Sequence, residues 1–205
     1  MRILLVDDHA IVRHGIRELL LARMPGAEVE ELGDAATALA WIRAAAWDVI
    51  VLDLTMPGMS GLDLLKTVRA ERRELPVLVL SMHPAAQFAQ RVIDAGGAGY
   101  VTKDAAPEEL VAAIHRVQRG GVYRPVSELT AWRRPRRAPH EQLSDREYQV
   151  LRLMGAGLGV SRIASDLGLS VKTVSTYRAR VLEKLGLETS AQLIRYAVEN
   201  SLVDG

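Results

Sequence analysis

Over the first 118 residues, short runs of branched aliphatic residues alternate with stretches whose apolar positions recur at helical spacing. The runs are "RILLV" (2–6), "EVEEL" (28–32), "DVIVL" (48–52), "PVLVL" (76–80) and "AGYVT" (98–102), and helical patterns follow at 10–24, 35–46, 61–72, 84–95 and 106–118. Apolar runs of this length suit strands, and regular strand–helix alternation predicts a parallel sheet with helices on both faces. No internal repeat is visible. From about residue 143 onward only helical patterns remain, so an all-α unit is expected to follow the α/β unit.

The pattern stops between the two, where "GGVYRPVSELTAWRRPRRAPHEQ" brings Gly, Pro and the cluster Arg133, Arg134, Arg136 and Arg137. Such a stretch reads as a joint, which divides the chain into a domain at 1–120, a linker at 121–142 and a second domain at 143–205. The arginines suit a solvated linker, or steering toward a phosphate backbone. In the second domain "LSDREY" is a capping box from Ser144 to Glu147, with Leu143 and Tyr148 placed for a hydrophobic staple. Gly155, Gly157 and Gly159 end that helix. A short helix holds Ile163, Ala164 and Leu167 and closes at Gly168, Ser170 caps a third helix through about Leu185, and a last helix covers 190–200. Two short helices joined at a glycine turn predict a helix-turn-helix, whose second helix enters the DNA major groove.

Composition adds bounds. The 205 residues are 49% hydrophobic and 25% charged, ordinary globular material for two modest domains. The absence of cysteine excludes disulfides and thiolate metal sites and suits a reducing compartment. No run approaches the roughly 20 apolar residues that span a bilayer, and the apolar part of "MRILLVDDHA" is short for a signal peptide. A cytoplasmic protein without membrane contact is expected. Lys and Arg number 13 against 16 Asp and Glu in residues 1–120, and 13 against 9 in residues 121–205, giving −3 and +4 and suggesting a different partner for each part.

The candidate chemistry lies at the strand ends. In a five-stranded doubly wound sheet of flavodoxin-like order 2-1-3-4-5, ligands bind beyond the carboxyl ends of the strands, at the switch point between strands one and three. Asp7 and Asp8 end strand one and Asp53 ends strand three, so the topology gathers three carboxylates at one rim. Mutually repelling carboxylates with room for water suit Mg²⁺ with phosphate oxygens. Ser81 closes strand four and offers a hydroxyl; Lys103, just past strand five, offers an ammonium. Each has an ordinary alternative: Asp8 as a helix cap, Ser81 as a turn starter, Lys103 as a solvated lysine. Their coincidence at one rim is what favours a phosphoryl site. His9, His14, His83, His115 and His140 lack metal-ligand spacing and read as structural or exposed.

At this point "LLVDDH", "VLDLTMPGMSG", "LSMH" and "GYVTKD" together resemble the receiver domain of bacterial two-component response regulators, over residues 1 to 120. The resemblance implies that Asp53 is the phosphoacceptor, that Asp7 and Asp8 help it hold Mg²⁺ with the Thr55 carbonyl, that Ser81 and Lys103 contact the phosphoryl group, and that Tyr100 is the switch aromatic, turning inward on activation. Ser81 stands where Thr is commoner and Asp104 where many receivers have Pro.

The second part, "LSDREYQVLRLMGAGL" with "IASDLGLSVKTVSTYRARVLEKLGL", resembles the LuxR-type helix-turn-helix domain, and the whole chain resembles a NarL/FixJ-type response regulator. On the third helix of this domain Ser175, Thr176 and Ala179 would then face bases, and Lys172, Tyr177, Arg178 and Arg180 mostly phosphates, with Thr173 in the same contact set; Tyr177 also shares a flank with the apolar Val174 and Val181. The last helix puts Leu193, Ile194, Ala197 and Val198 on one stripe, used partly for packing and, by resemblance, for a homodimer that forms on phosphorylation. The implied partners are a sensor histidine kinase and double-stranded DNA, and the chain is expected to be no enzyme beyond its own phosphotransfer. Two competing readings are a DNA-binding regulator with a phosphorylation-independent receiver and a Mg²⁺-dependent phosphohydrolase. The latter of haloacid-dehalogenase type wants Asp-x-Asp after strand one, whereas Asp7 and Asp8 are adjacent and no lid insertion is present.

Overall fold

The computed structural model describes residues 1–56, 58–82, 85–124, 138–200 and 202–203. Pro57, His83 and the linker arginines lie outside the described residues. The chain forms two compact units, Met1–Arg133 and Arg134–Gly205.

In the first unit, strands β1 (Arg2–Val6), β2 (Glu28–Leu32), β3 (Val49–Leu52), β4 (Val77–Ser81) and β5 (Gly99–Thr102) alternate with helices α1 (Ala10–Arg23), α2 (Ala35–Ala44), α3 (Gly61–Glu71), α4 (Ala85–Asp94) and α5 (Pro107–Gln118). The sheet is parallel, in the expected flavodoxin-like order β2-β1-β3-β4-β5. The residue types explain the arrangement. All four residues of β3 and all five of β4 are buried, as continuous Val/Ile/Leu runs require when helices cover both faces. By contrast, "EVEEL" buries only Val29 and puts glutamates on the edge strand β2, where charge discourages pairing with another sheet.

Local signals set the helix boundaries. Asp34 caps α2 by accepting from the Thr37 amide at 2.7 Å, and Ser60 caps α3 by accepting from the Asp63 amide at 3.2 Å. The helix expected through residue 46 ends at Ala44. Ala45 is extended, and Trp47 turns back into the core with its indole N–H donating to the Trp41 carbonyl at 3.1 Å. The other edge strand, β5, is covered by the chain leaving α5. Gly120 turns with φ 80°, the Tyr123 amide donates to the Ala98 carbonyl at 2.8 Å, and Tyr123 forms a parallel bridge to Gly99.

The described part of the second unit opens with a 3₁₀ turn, Pro139–Gln142, and continues through α6 (Asp145–Gly155), α7 (Val160–Asp166), α8 (Val171–Leu185) and α9 (Ser190–Glu199). The capping box at Ser144 and Glu147 is formed, with Leu143 and Tyr148 both buried beside it. A second box joins Thr189 and Gln192 at the start of α9. Gly168 takes φ 64° between α7 and α8, and Ser170 caps α8 by accepting from the Thr173 amide at 3.0 Å. Helices α6 and α9 approach so closely that a Cβ at Gly155 would stand 2.6 Å from the Ala197 Cβ.

That approach corrects one expectation. Leu193 and Ala197 are fully buried inside the unit, while Ile194 and Val198 are 37% and 55% exposed. The apolar stripe of α9 is therefore split: its inner half packs on α6, and only the i, i+4 pair Ile194 and Val198 is left facing outward.

Glu147 does more than cap. Its Oε2 accepts from the Ser144 amide at 2.7 Å and from Lys184 Nζ at 2.6 Å, tying α6 to α8. Burial alone would push its carboxyl up, but the Lys184 and Ser144 hydrogen bonds outweigh burial and hold it below its ordinary value of 4.5. A carboxyl depressed on folding contributes stability that is present above the unfolded value and lost as pH falls through the lower folded value. Glu147→Ala is therefore expected to destabilise this unit by about 2 kcal/mol at neutral pH, with the difference shrinking below about pH 4. Urea unfolding of both chains as a function of pH checks this; a difference that is the same at every pH would refute the ionic part.

Candidate functional site

The parallel pairing of β1 with β3 runs to Val6 opposite Leu52, so the next residues, Asp7 and Asp53, leave the sheet side by side. Both backbones are pinned: the Asp53 amide donates to the Val6 carbonyl at 2.8 Å and the Asp7 amide to the Leu32 carbonyl at 3.1 Å. On the other side, Ser81 pairs with Thr102, and the Lys103 amide donates to the Ser81 carbonyl at 2.8 Å, bringing Lys103 to the same rim. Its ammonium bridges the two acids, 2.5 Å from Asp7 Oδ2 and 2.9 Å from Asp53 Oδ2. The side chains of Asp7, Asp53 and Lys103 are 2%, 3% and 5% exposed.

Charges so deeply placed perturb one another. Burial drives the Asp53 carboxyl above its ordinary value, against the opposing pull of Lys103. Burial would also push the Lys103 ammonium down, but Asp53 and Asp7 outweigh it and hold it above its ordinary value. The lysine therefore stays charged and leaves the carboxylates only partly neutralised.

Asp8 adds the third carboxylate. It does not cap α1, whose N-cap residue is His9 with no side-chain bond to the helix. The Asp8 Oδ1 is buried without a hydrogen bond, although His9 Nδ1 lies 2.9 Å away. Ligand atoms of Asp7, Asp8, His9 and Asp53 all lie within 4.8 Å of one another. His9 thus joins the site, correcting the view that no histidine has metal-ligand placement; its adjacency to the acid pair in "DDH" was the available signal. An orphaned buried carboxylate oxygen beside two further carboxylates fits a hard divalent cation such as Mg²⁺.

The remaining parts of the rim are positioned by close backbone packing. The Thr55 amide donates to Asp53 Oδ1 at 3.3 Å. The first turn of α3 lies directly on the end of β3: the Gly61 amide donates to the Leu54 carbonyl at 3.0 Å, and a Cβ at Gly61 would fall 1.9 Å from the Asp53 carbonyl oxygen, so no other residue fits without moving the acid. Arg13, which sequence reasoning did not single out, donates from Nη1 to the Asp7 carbonyl at 2.6 Å. Ser81 and Tyr100 are fully buried, so the ring of Tyr100 already occupies an inward position.

In the second unit, α8 divides cleanly. Val174 and Val181 are fully buried, while Lys172, Ser175, Thr176, Ala179 and Arg180 are exposed on the opposite side. Thr173, Tyr177 and Arg178 are half-buried between the two. Lys172, Thr173, Thr176, Tyr177 and Arg180 line one shallow groove, which puts Tyr177 on the surface as well as against the core. The Thr176 hydroxyl donates to the Lys172 carbonyl at 3.0 Å, leaving its oxygen outward as an acceptor.

No helix among the described residues is long and apolar enough to cross a membrane. Residues 3–115 match the family model of the response regulator receiver domain, and residues 141–197 that of bacterial regulatory proteins of the luxR family. The response regulator UvrY of Escherichia coli (strain K12) is 34% identical, covering 98% of this chain and 95% of its own length. The response regulator GacA of Pseudomonas aeruginosa is 34% identical over 100% of this chain and 98% of its own. Among solved structures, RcsB from Salmonella enterica serovar Typhimurium bound to promoter P1flhDC with the phosphomimetic BeF3⁻ superposes with a TM-score of 0.67 at 32% identity, over 96% of this chain and 97% of that one. A structure of two RcsB dimers on two parallel DNAs gives 0.61 at 31%, over 97% and 98%.

Three acids facing one lysine should cost folding stability, as sites built for an ion do. Asp8→Asn is expected to raise the stability of the first unit by about 1 kcal/mol in metal-free buffer. Urea unfolding in the presence of a chelator measures this, and a loss of stability would show that the Asp8 charge is satisfied within the protein.

Proposed function

The chain belongs to the two-component response regulators of NarL/FixJ type, and we propose that phosphorylation of Asp53 controls its hold on DNA. The family consists of transcription regulators rather than enzymes, with a receiver domain joined to a LuxR-type DNA-binding domain. The phosphoryl donor in this reading is a phosphohistidine on a sensor kinase. An Asp53 carboxylate oxygen attacks phosphorus, the P–N bond breaks with its electrons leaving to the imidazole, and an aspartyl phosphate forms. The supporting observation is the Lys103 bridge across Asp7 and Asp53 beside the buried Asp8 oxygen, which makes no hydrogen bond and has the His9 ring 2.9 Å away.

Each residue has a stated part. Asp53 is the nucleophile; its burial beside only one ammonium keeps it available to an incoming electrophile. Lys103 pairs with the arriving phosphoryl oxygens as its contact to Asp53 is given up. Ser81, closing β4 within the same rim, donates its hydroxyl to the phosphoryl group, and Tyr100 reads that change as the switch aromatic. Asp7, Asp8 and Asp53, with the Thr55 carbonyl, would hold Mg²⁺. When bound, Mg²⁺ supplies the positive charge that offsets the carboxylates and the phosphoryl oxygens. The acyl phosphate is hydrolytically labile, so the mark is a signal of limited duration.

The output is double-stranded DNA recognition by α8. Ser175, Thr176 and Ala179 face base edges in the major groove, while Lys172, Arg180, Arg178, Tyr177 and Thr173 hold the backbone. The exposure of Lys172, Ser175, Thr176, Ala179 and Arg180 opposite the Val174–Val181 face supports this assignment, and the similar RcsB bound to a promoter supports DNA as the ligand. Ile194 and Val198 are the α9 residues left to meet a second copy in a phosphorylated homodimer that reads two half-sites.

Wild type and Asp53→Asn, incubated with acetyl phosphate and Mg²⁺, test the phosphoacceptor. A mass gain of one phosphoryl group and tighter DNA binding are expected in the wild type alone. An equal gain in both would move the acceptor elsewhere, and a gain with unchanged affinity would leave a receiver that does not act through phosphorylation. For the interface, Lys172→Ala is expected to weaken binding to all sequences and to lower the salt dependence of log Kd by about one unit. An unchanged slope would remove Lys172 from the phosphate contacts.

A further inference from the structure

The edge of β5 is occupied by this chain itself. Beyond α5, Gly120 and Gly121 reverse the backbone, the Gly121 amide donating to the Arg116 carbonyl at 3.0 Å. The Val122 carbonyl then accepts from Arg116 Nε at 2.8 Å, and the Tyr123 amide donates to the Ala98 carbonyl at 2.8 Å. The Tyr123 ring packs against the core beneath α5, and its hydroxyl donates to Glu109 Oε1 at 2.9 Å. Burial, then Glu109, push the Tyr123 phenol up to about 12, so it remains a hydrogen-bond donor throughout the physiological range. Gly99 makes the contact possible: a Cβ there would stand 2.8 Å from the Tyr123 Cβ and 2.9 Å from Leu78 Cδ1.

The place of this clasp in the fold suggests its use. Gly99 precedes Tyr100, the buried aromatic of β5, and four residues further on lies Lys103, which bridges Asp7 and Asp53. A strand of that length spans roughly 13 Å and is held along one side by β4. Lys103 and Tyr100 are thus joined through one short strand to Gly99 and to its backbone bridge with Tyr123. Tyr123 and Arg124 stand in the stretch that leads from α5 toward the second unit.

We propose that the Tyr123–Gly99 clasp, with Glu109 as its side-chain anchor, carries the state of the acidic pocket into the segment leading to the DNA-binding unit. The proposal rests on the reading that Asp53 phosphorylation controls DNA binding. It makes β5 a two-ended element, with the phosphoryl-responsive lysine beyond one end and the start of the interdomain segment at the other, and it gives the covered edge of the sheet a task beyond closure. A two-state coupling of this kind needs each pocket state to favour a different population of the clasp.

Two measurements on the full chain test it. In the first, hydrogen exchange is followed for wild type alone and with Mg²⁺ and beryllofluoride. The Tyr123 amide is expected to change its exchange rate by at least about tenfold between the two states; an unchanged rate would overturn the proposal. In the second, Kd for a duplex selected in vitro with the wild-type chain is measured with and without acetyl phosphate treatment, for wild type, Tyr123→Ala and the milder Glu109→Gln. Both variants are expected to take up the phosphoryl group to the wild-type extent, judged by mass, which a general folding defect would prevent. The ratio of the two Kd values is expected to fall by at least about fivefold in Tyr123→Ala, with a smaller fall in Glu109→Gln. A wild-type ratio retained in both variants would overturn the clasp alone. A ratio near one in the wild type itself would overturn the phosphorylation reading beneath it, and the clasp with it.

Discussion

Two buried carboxylates sharing one ammonium govern the first unit. Asp7 and Asp53 leave adjacent parallel strands at the same level, and Lys103 is their shared counter-ion, with Asp8 adding a third carboxylate whose buried Oδ1 makes no hydrogen bond and faces the His9 ring. Removing charge from water is costly unless partners replace it. One lysine cannot replace it for three acids, so the site stays short of positive charge. That shortage gives a divalent cation and a phosphoryl group a reason to assemble there, and in the proposed reaction Lys103 changes partners rather than acquiring a new charge.

The scaffold holds this unfavourable arrangement by fixing the backbone. The Asp53 and Asp7 amides both complete sheet hydrogen bonds, Arg13 holds the Asp7 carbonyl, and α3 is packed so near that only glycine fits at position 61. The side chains thus have little freedom to separate, and their repulsion is borne by the fully buried strands behind them. Strand β5 leads directly into Lys103 at one end, and the chain leaving α5 is stitched to the other.

The second unit distributes its residues by a simpler rule. Each helix spends one face on a small core and leaves the other at the surface. On α8 the leftover is a polar, basic face opposite Val174 and Val181; on α9 it is the pair Ile194 and Val198, because Leu193 and Ala197 are consumed against α6. The ionic tie from Glu147 to Lys184 holds α6 against the helix proposed to meet DNA, so capping and presentation of that helix are mechanically linked.

Much of this was legible in the residues alone. Alternating Val/Ile/Leu runs and helical periods identify the five strands and five helices among the described residues of the first unit, since backbone periodicity is a local property. The acids and the lysine at the strand ends follow once the sheet order is assumed, and the capping box at Ser144 is read directly from its spacing. Tertiary structure decided the rest, because it concerns distances between segments far apart in the chain. That α2 stops at Ala44 depends on Trp47 returning to the core; that His9 belongs to the acidic group depends on how α1 begins; that the α9 stripe is halved depends on α6 arriving at Gly155. Sequence spacing determines which face a side chain occupies, but only packing determines which faces are covered, which carboxylates share a counter-ion, and which strand edge the chain returns to close.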